Sequence, residues 1–66
     1  MDELIMNLKK LHEEEMADSK KYQELSTICK SKGMDKAAGI LKDISEEEVT
    51  HAKMLAFILL KEDVKV

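Results

Sequence analysis

The sequence contains no proline, only two glycines and a single cysteine. Because proline and glycine are the residues that most disfavour a helix interior, few positions in this chain oppose long helices. The lone cysteine, Cys29, has no partner for a disulfide within the chain, so disulfide stabilisation is excluded. The unpaired thiol and the lack of a signal peptide lead us to expect a cytoplasmic protein.

Aromatic residues are also scarce, and the positive and negative charges are mixed along the chain. Tyr22 and Phe57 are the two aromatic residues, and 11 lysines are interspersed with 14 acidic residues to give a net charge of −3. The chain has few aromatic rings for base stacking and no block of positive charge for phosphate binding, so we expect no nucleic-acid partner. The longest apolar run, at residues 54–60, is far shorter than the roughly 20 residues that span a membrane, so we also expect no membrane partner.

The residues that are abundant favour helix. Leucine, methionine, lysine, glutamate and alanine dominate the chain. We predict a single all-α domain over residues 1–66, with a first helix over about 2–31, a turn over 32–35 and a second helix over about 36–62. Gly33 suits a left-handed cap after the first helix, and Asp35 is the expected N-cap of the second. Two long helices joined by a short turn form an antiparallel hairpin.

A hairpin of this size leaves much of its apolar surface exposed. So small a core contributes only about 3–5 kcal/mol of stability without disulfides, a metal or oligomerisation. Apolar side chains also lie outside any single narrow stripe, at Ile5, Met16, Ile28, Ile40 and Leu59. Two hairpins packed as a four-helix bundle would bury this surface, so we predict a homodimer or a larger assembly of dimers.

The inward-facing residues of such a bundle recur at alternating spacings of four and three. We call this stripe the heptad seam; it consists of Leu4, Leu8, Leu11, Glu15, Asp18, Tyr22, Leu25 and Cys29, and of Ala37, Leu41, Ile44, Glu48, His51, Leu55 and Ile58. The seam is apolar at both ends and polar in the middle. When the helices are aligned about the turn, Glu15 and His51 are nearly level, and Glu48 lies about one turn, roughly 6 Å, away.

Ionisable side chains at one depth of a seam need partners. A buried carboxylate without one is costly, and no lysine lies on the seam. Glu48 and His51 share a helix face, and carboxylate oxygen together with imidazole nitrogen suits iron, manganese or zinc. A twofold dimer would collect Glu15, Glu48 and His51 twice, and two divalent cations would balance its four carboxylates. We therefore predict a dinuclear metal site, with Asp18 as a further candidate ligand.

These residues resemble half of a rubrerythrin-type bundle in the ferritin-like di-iron carboxylate superfamily. The resemblance rests on Glu15 followed seven residues later by Tyr22, and on the Glu-x-x-His-Ala pattern at residues 48–52. The spacing of 33 positions from Glu15 to Glu48 also resembles that of a rubrerythrin half-domain. The resemblance covers about residues 11–60 and implies a ferritin-like four-helix bundle with two iron ions per dimer.

The resemblance also implies roles and an activity. Glu48 would bridge the metals, Glu15 would be a terminal ligand and His51 would complete a coordination sphere. Tyr22 would form a hydrogen bond near the site. The implied activity is that of an oxidoreductase that oxidises ferrous iron or reduces peroxide or dioxygen. The electron donor is expected to be external, because the sequence lacks the paired Cys-x-x-Cys motifs of a rubredoxin centre.

Other interpretations of the same residues stay open. A non-catalytic dimeric hairpin with a structural or partner-binding role would use its polar layer to fix register, and a structural zinc is one version of it. Asp18 departs from the family, whose related helices tend to carry a small residue there. His12, three residues before Glu15, lies beside the seam and is a weaker ligand candidate.

Overall fold

The computed structural model describes residues 2–62 as two antiparallel α-helices joined by a tight turn. Helix α1 spans Asp2–Ser31 and helix α2 spans Asp35–Lys61. The predicted all-α hairpin is confirmed. Over the described residues, neither helix contains an apolar stretch long enough to cross a membrane.

Backbone hydrogen bonds close the turn at the C-terminal end of α1. Gly33 has a φ of 75°, a left-handed conformation that residues with a Cβ rarely adopt. The N–H of Met34 donates to the Cys29 carbonyl at 2.8 Å and that of Gly33 to the Lys30 carbonyl at 3.1 Å, which together form a Schellman motif. The glycine prediction is confirmed, but the predicted cap is wrong. Met34 is the N-cap residue of α2, and its side chain forms no capping hydrogen bond. Asp35 is the first helical residue, and its carboxylate interacts favourably with the helix dipole.

The two helices pack along a stripe of mostly small side chains, which we call the inner face. It consists of Ser19 and Ser26 on α1 and of Ala38, Ser45, Ala52 and Leu59 on α2. The members on α2 recur every seven residues, so they stay on one side of that helix. Such small side chains allow two helices to approach closely. The inner face is therefore closed within one chain.

The heptad seam lies next to the inner face, toward the open side of the hairpin. Four of its apolar members are about half exposed, namely Leu4 at 56%, Leu11 at 47%, Leu25 at 48% and Ile58 at 44%. Leu59, predicted to flank the seam, is instead fully buried at 0%. The line of contact between two helices is rotated away from the line that faces the centre of a four-helix bundle, so one chain buries only the first. One chain therefore leaves the seam partly exposed, and the burial of the seam inside a four-helix bundle stays a prediction.

Candidate metal centre

Three side chains of the heptad seam converge midway along the hairpin. One ligand atom from each of Glu15, Glu48 and His51 lies within 4.8 Å of the others. Glu48 and His51 lie on the same side of α2, because residues three apart are neighbours on a helix surface. Ser19 on α1 is hydrogen-bonded to Ser45 on α2, and in this antiparallel register Glu15 lies level with the other two residues.

The Glu15 carboxylate is the least satisfied polar group of the site. Its side chain is 26% exposed, and among the described residues its Oε2 atom is buried without a hydrogen bond. The Nδ1 atom of His51 lies 3.3 Å from this oxygen, which is ion-pair distance without hydrogen-bond alignment. A buried carboxylate oxygen that receives no donor is costly, and a bound cation would satisfy it.

Glu48 lies in an environment that opposes its negative charge. Partial burial raises the pKa of this carboxyl above its ordinary value, and a hydrogen bond with Glu15 and repulsion from its carboxylate raise it further. The charge of Asp18 acts in the same direction, whereas His51 lowers the pKa. The net effect is that the cluster favours an added positive charge, either a proton or a metal cation.

The cluster opens to one side of the hairpin. The His51 side chain is 53% exposed. Glu15 and His51 line an open groove whose other walls are apolar, formed by Leu11, Met54, Leu55 and Ile58. One chain offers three ligand atoms, fewer than the roughly four donors of a structural zinc site. The described chain therefore provides a partial donor set with an open side.

The remaining candidates lie outside this cluster of described residues. Asp18 is half-buried and acts on Glu48 through its charge, without placing an oxygen among the clustered ligand atoms. Tyr22 and His12 are also half-buried, and the His12 nitrogens are not among the clustered ligand atoms. The hydrogen bond predicted for Tyr22 stays a prediction, as do the ligand roles of the clustered residues.

Sequence reasoning missed the two buried polar residues beside the site. Ser19 follows Glu15 by one helical turn, and Ser45 precedes Glu48 by slightly less than one turn. A pattern of hydrophobic residues gives no information about where serines are buried. The signal that could have found them is the seven-residue spacing of small residues at Ala38, Ser45 and Ala52.

The comparison with known families decides what kind of hairpin this is. A sequence model of the rubrerythrin family matches residues 7–65. The chain belongs to the rubrerythrin family. The match includes α1 from residue 7 onward, all of α2 and the whole Glu15, Glu48 and His51 cluster, and it confirms the resemblance inferred from sequence. A search of curated proteins and a search of solved structures each found no match.

The residues present fit the metal that this family typically binds, which is iron. The cluster offers carboxylate oxygens and an imidazole nitrogen, both of which iron accepts in proteins. The oxygen of Glu15 that lacks a hydrogen bond is a lone-pair donor ready for a cation. The donor chemistry of the cluster is therefore compatible with iron, as it is with manganese or zinc.

Proposed function

We propose that two copies of this rubrerythrin-family chain form a four-helix bundle that holds a dinuclear iron centre at the level of Glu15, Glu48 and His51. Its activity would be the oxidation of ferrous iron, or the reduction of peroxide or dioxygen with electrons from an external donor. The observation that carries the proposal is the 4.8 Å cluster of three ligand atoms on the side of the hairpin that exposes the apolar seam.

The exposed apolar side chains beside the cluster support a second copy as the missing wall. Leu11 and Ile58 line the groove that contains Glu15 and His51, and Leu25 continues the same exposed stripe. A twofold interface is self-complementary, so each copy would cover the other's seam with its own. Each buried Å² of apolar surface would contribute about 25 cal/mol. The same packing would supply the second set of donors that a dinuclear site needs.

Within the proposed centre, each side chain has a role that follows from its chemistry. Bound iron would supply the electron-transfer chemistry that the amino acids lack. Glu48, with two carboxylate oxygens, would bridge the two ions, Glu15 would bind one of them, and His51 would add a nitrogen donor. Hard anionic oxygens favour the higher charge of ferric iron. The Tyr22 hydroxyl would orient a ligand through a hydrogen bond.

The non-catalytic alternative has an observation of its own. Nδ1 of His51 and Oε2 of Glu15 are 3.3 Å apart, so the two groups interact without a metal. The apolar seam would favour dimerisation whether or not a metal binds. Under this alternative, the polar layer fixes the register of a structural dimer, either without metal or with zinc that is inert toward oxygen.

Elemental analysis combined with sedimentation of native-purified protein tests the proposal. We expect about two iron ions per dimer, as in the ferritin-like carboxylate proteins. Glu48→Ala should lose most of this metal, because it removes a proposed bridge from both half-sites. Glu47→Ala is the matched control, since Glu47 is the exposed neighbour of Glu48 and should leave the metal content unchanged.

Oxidation kinetics separate the two functions. Ferrous iron loaded without oxygen should oxidise faster on the wild-type protein than on the Glu15→Ala/Glu48→Ala variant when oxygen or peroxide is admitted. If the metal-loaded wild-type protein oxidised iron no faster than the variant, the result would favour a structural metal site. If the dimer were equally stable without metal, the result would favour the metal-free structural dimer.

A further inference from the structure

Next to the metal cluster, two serine side chains bond across the helix interface. Ser19 and Ser45 are 2% and 1% exposed, and they are the buried polar residues of the described chain. The Ser19 hydroxyl donates to the Ser45 carbonyl at 3.1 Å, and the Ser45 hydroxyl donates to the Ser19 carbonyl at 3.1 Å. The two Oγ atoms are 3.0 Å apart, and Gln23 Nε2 donates to Ser19 Oγ at 3.3 Å. The contact is therefore reciprocal and fully hydrogen-bonded.

This contact exists only where the helix backbones are close. A serine side chain is short, so its hydroxyl reaches a carbonyl of the facing helix only toward the near end of the usual interaxial range, about 8–10 Å. Ser26 repeats the arrangement nearer the turn, where its hydroxyl donates to the Ala38 carbonyl at 2.7 Å. Ala52, which follows His51 directly, continues the stripe of small buried residues to the level of the cluster. Small side chains therefore line the helix contact from the turn to the cluster.

Both serines are about one helical turn from a candidate ligand. Ser19 comes four residues after Glu15, and Ser45 comes three residues before Glu48. One turn rises about 5.4 Å, a length over which a hydrogen-bonded helix does not bend appreciably. The helix separation at the serine pair is therefore transmitted to the cluster, whose ligand atoms must come within 4.8 Å across the same interface.

We propose that the Ser19–Ser45 pair is a positioning element of the metal centre. It sets the separation and the register of α1 and α2 so that Glu15 reaches Glu48 and His51. The serines act through the two helix backbones and not as ligands. This inference rests on the proposed function, because it concerns metal held by the cluster.

The test adds bulk at Ser45 and compares it with the same bulk elsewhere on the inner face. Ser45→Val inserts a branched side chain into the helix contact one turn from the cluster. Ala38→Val does so at the next inner-face position toward the turn, away from the cluster. Both variants should melt at a lower temperature than the wild type, because both overpack a tight interface. Circular dichroism establishes that each is folded.

Cobalt(II) titration then separates positioning from stability. Ser45→Val should weaken cobalt binding about tenfold or more, the loss typical when the support of a metal ligand is removed. It should also change the visible absorption bands of the bound cobalt, which report ligand geometry. Ala38→Val should keep the same bands and an affinity within about threefold of wild type, since distant sites act independently.

Two milder changes keep the test decisive if Ser45→Val does not fold. Ser45→Thr retains the hydroxyl and adds one methyl group, so it should weaken cobalt binding to an intermediate degree. Ser45→Ala retains the small size, so it should change the affinity less than Ser45→Thr. Wild-type affinity and bands in the bulky variants, or an equal loss in Ala38→Val, would overturn the positioning role alone. A wild-type protein that binds no cobalt would overturn the proposed function and this inference together.

Discussion

The inner face and the heptad seam run side by side along the same two helices, yet one chain completes only the first. On the inner face, Leu59 is fully buried and the hydroxyls of Ser19 and Ser45 each donate to the opposite helix. On the seam, Leu25 is half exposed and Oε2 of Glu15 has no hydrogen bond among the described residues. The stripe that carries the Glu15, Glu48 and His51 cluster therefore has exposed apolar and unsatisfied polar groups, which the inner face lacks.

The difference follows from side-chain size. Serine and alanine allow a close helix contact but bury little apolar area, so the inner face fixes geometry more than it stabilises the fold. Leucine and isoleucine carry the larger apolar area, and most of them lie on or near the exposed seam. The inner face is therefore built mostly from small residues, whereas many of the large apolar residues remain exposed in one chain.

The largest expected effect comes from charging the seam. Leu25→Glu should break the proposed dimer, because a twofold interface contains the change twice. Leu25 is half exposed in one chain, so each copy loses about half of the roughly 1.5–3 kcal/mol that full leucine burial contributes, and it also places an unpaired carboxylate in the interface, which costs several kcal/mol more. Sedimentation should therefore show the dimer weakened by about a hundredfold or more.

The matched control for this change is Met6→Glu. Met6 is more exposed than Leu25 but lies off the seam, so the same charge there should leave sedimentation unchanged. Equal behaviour of the two variants would mean that the seam is not the interface.

The next effect is on the inner face. Leu59→Ala should destabilise the hairpin by about 2–5 kcal/mol, the usual range for deleting a fully buried leucine side chain. Leu60→Ala is the control, because its neighbouring side chain is largely exposed and should change stability by less than about 0.5 kcal/mol. Urea unfolding followed by circular dichroism measures both. Similar losses in the two variants would contradict the assignment of Leu59 to the closed face.

Sequence periodicity predicted the parts of the molecule that repeat. The two helices followed from strong helix formers without proline, and the left-handed turn followed from Gly33, which has the expected positive φ. The convergence of Glu15 with Glu48 and His51 followed from counting residues outward from the turn, because a helix rises by a fixed amount per residue.

Periodicity alone did not predict which stripe one chain would bury. The apolar heptads marked the seam, whereas the closed face is built from Ser19, Ser45 and Ala52, which a count of hydrophobic residues ignores. Leu59 was placed on the flank because it lies outside the alternating four-and-three spacing that defines the seam. The N-cap prediction was wrong because aspartate is favourable both at the N-cap and in the first turn of a helix. The residue type of Asp35 therefore does not show which of these two positions it occupies.

A smaller effect is expected from metal removal. A ligand that binds only the folded state stabilises it by mass action, by about 2.7 kcal/mol when free metal is a hundredfold above its dissociation constant. Adding a chelator should therefore lower the melting temperature of the iron-loaded wild-type protein. Glu48→Ala should melt at one temperature with or without chelator. A wild-type protein that is equally insensitive would favour the metal-free structural dimer.

The smallest expected effect is the pH dependence of the metal-free protein. Because the pKa of Glu48 is raised in the folded chain, the folded state binds this proton more tightly than the unfolded state does. The resulting stabilisation is fully present below the ordinary glutamate pKa, and it is lost as pH rises through the raised value. Glu48→Gln has no such proton, so wild type and variant should melt alike near pH 4 and diverge toward pH 7, with the wild type less stable at about neutral pH.

Melting temperatures in chelator across this pH range measure the divergence, which should be modest because solvent screens the partly exposed Glu48. Glu47→Gln removes the same charge from an exposed position outside the cluster, so its gap to wild type should change less with pH. A gap for Glu48→Gln that stays constant with pH would contradict the electrostatic account of the seam. A gap that widens only in that variant would place the unbalanced charge at the cluster, on the face that a single chain leaves incomplete.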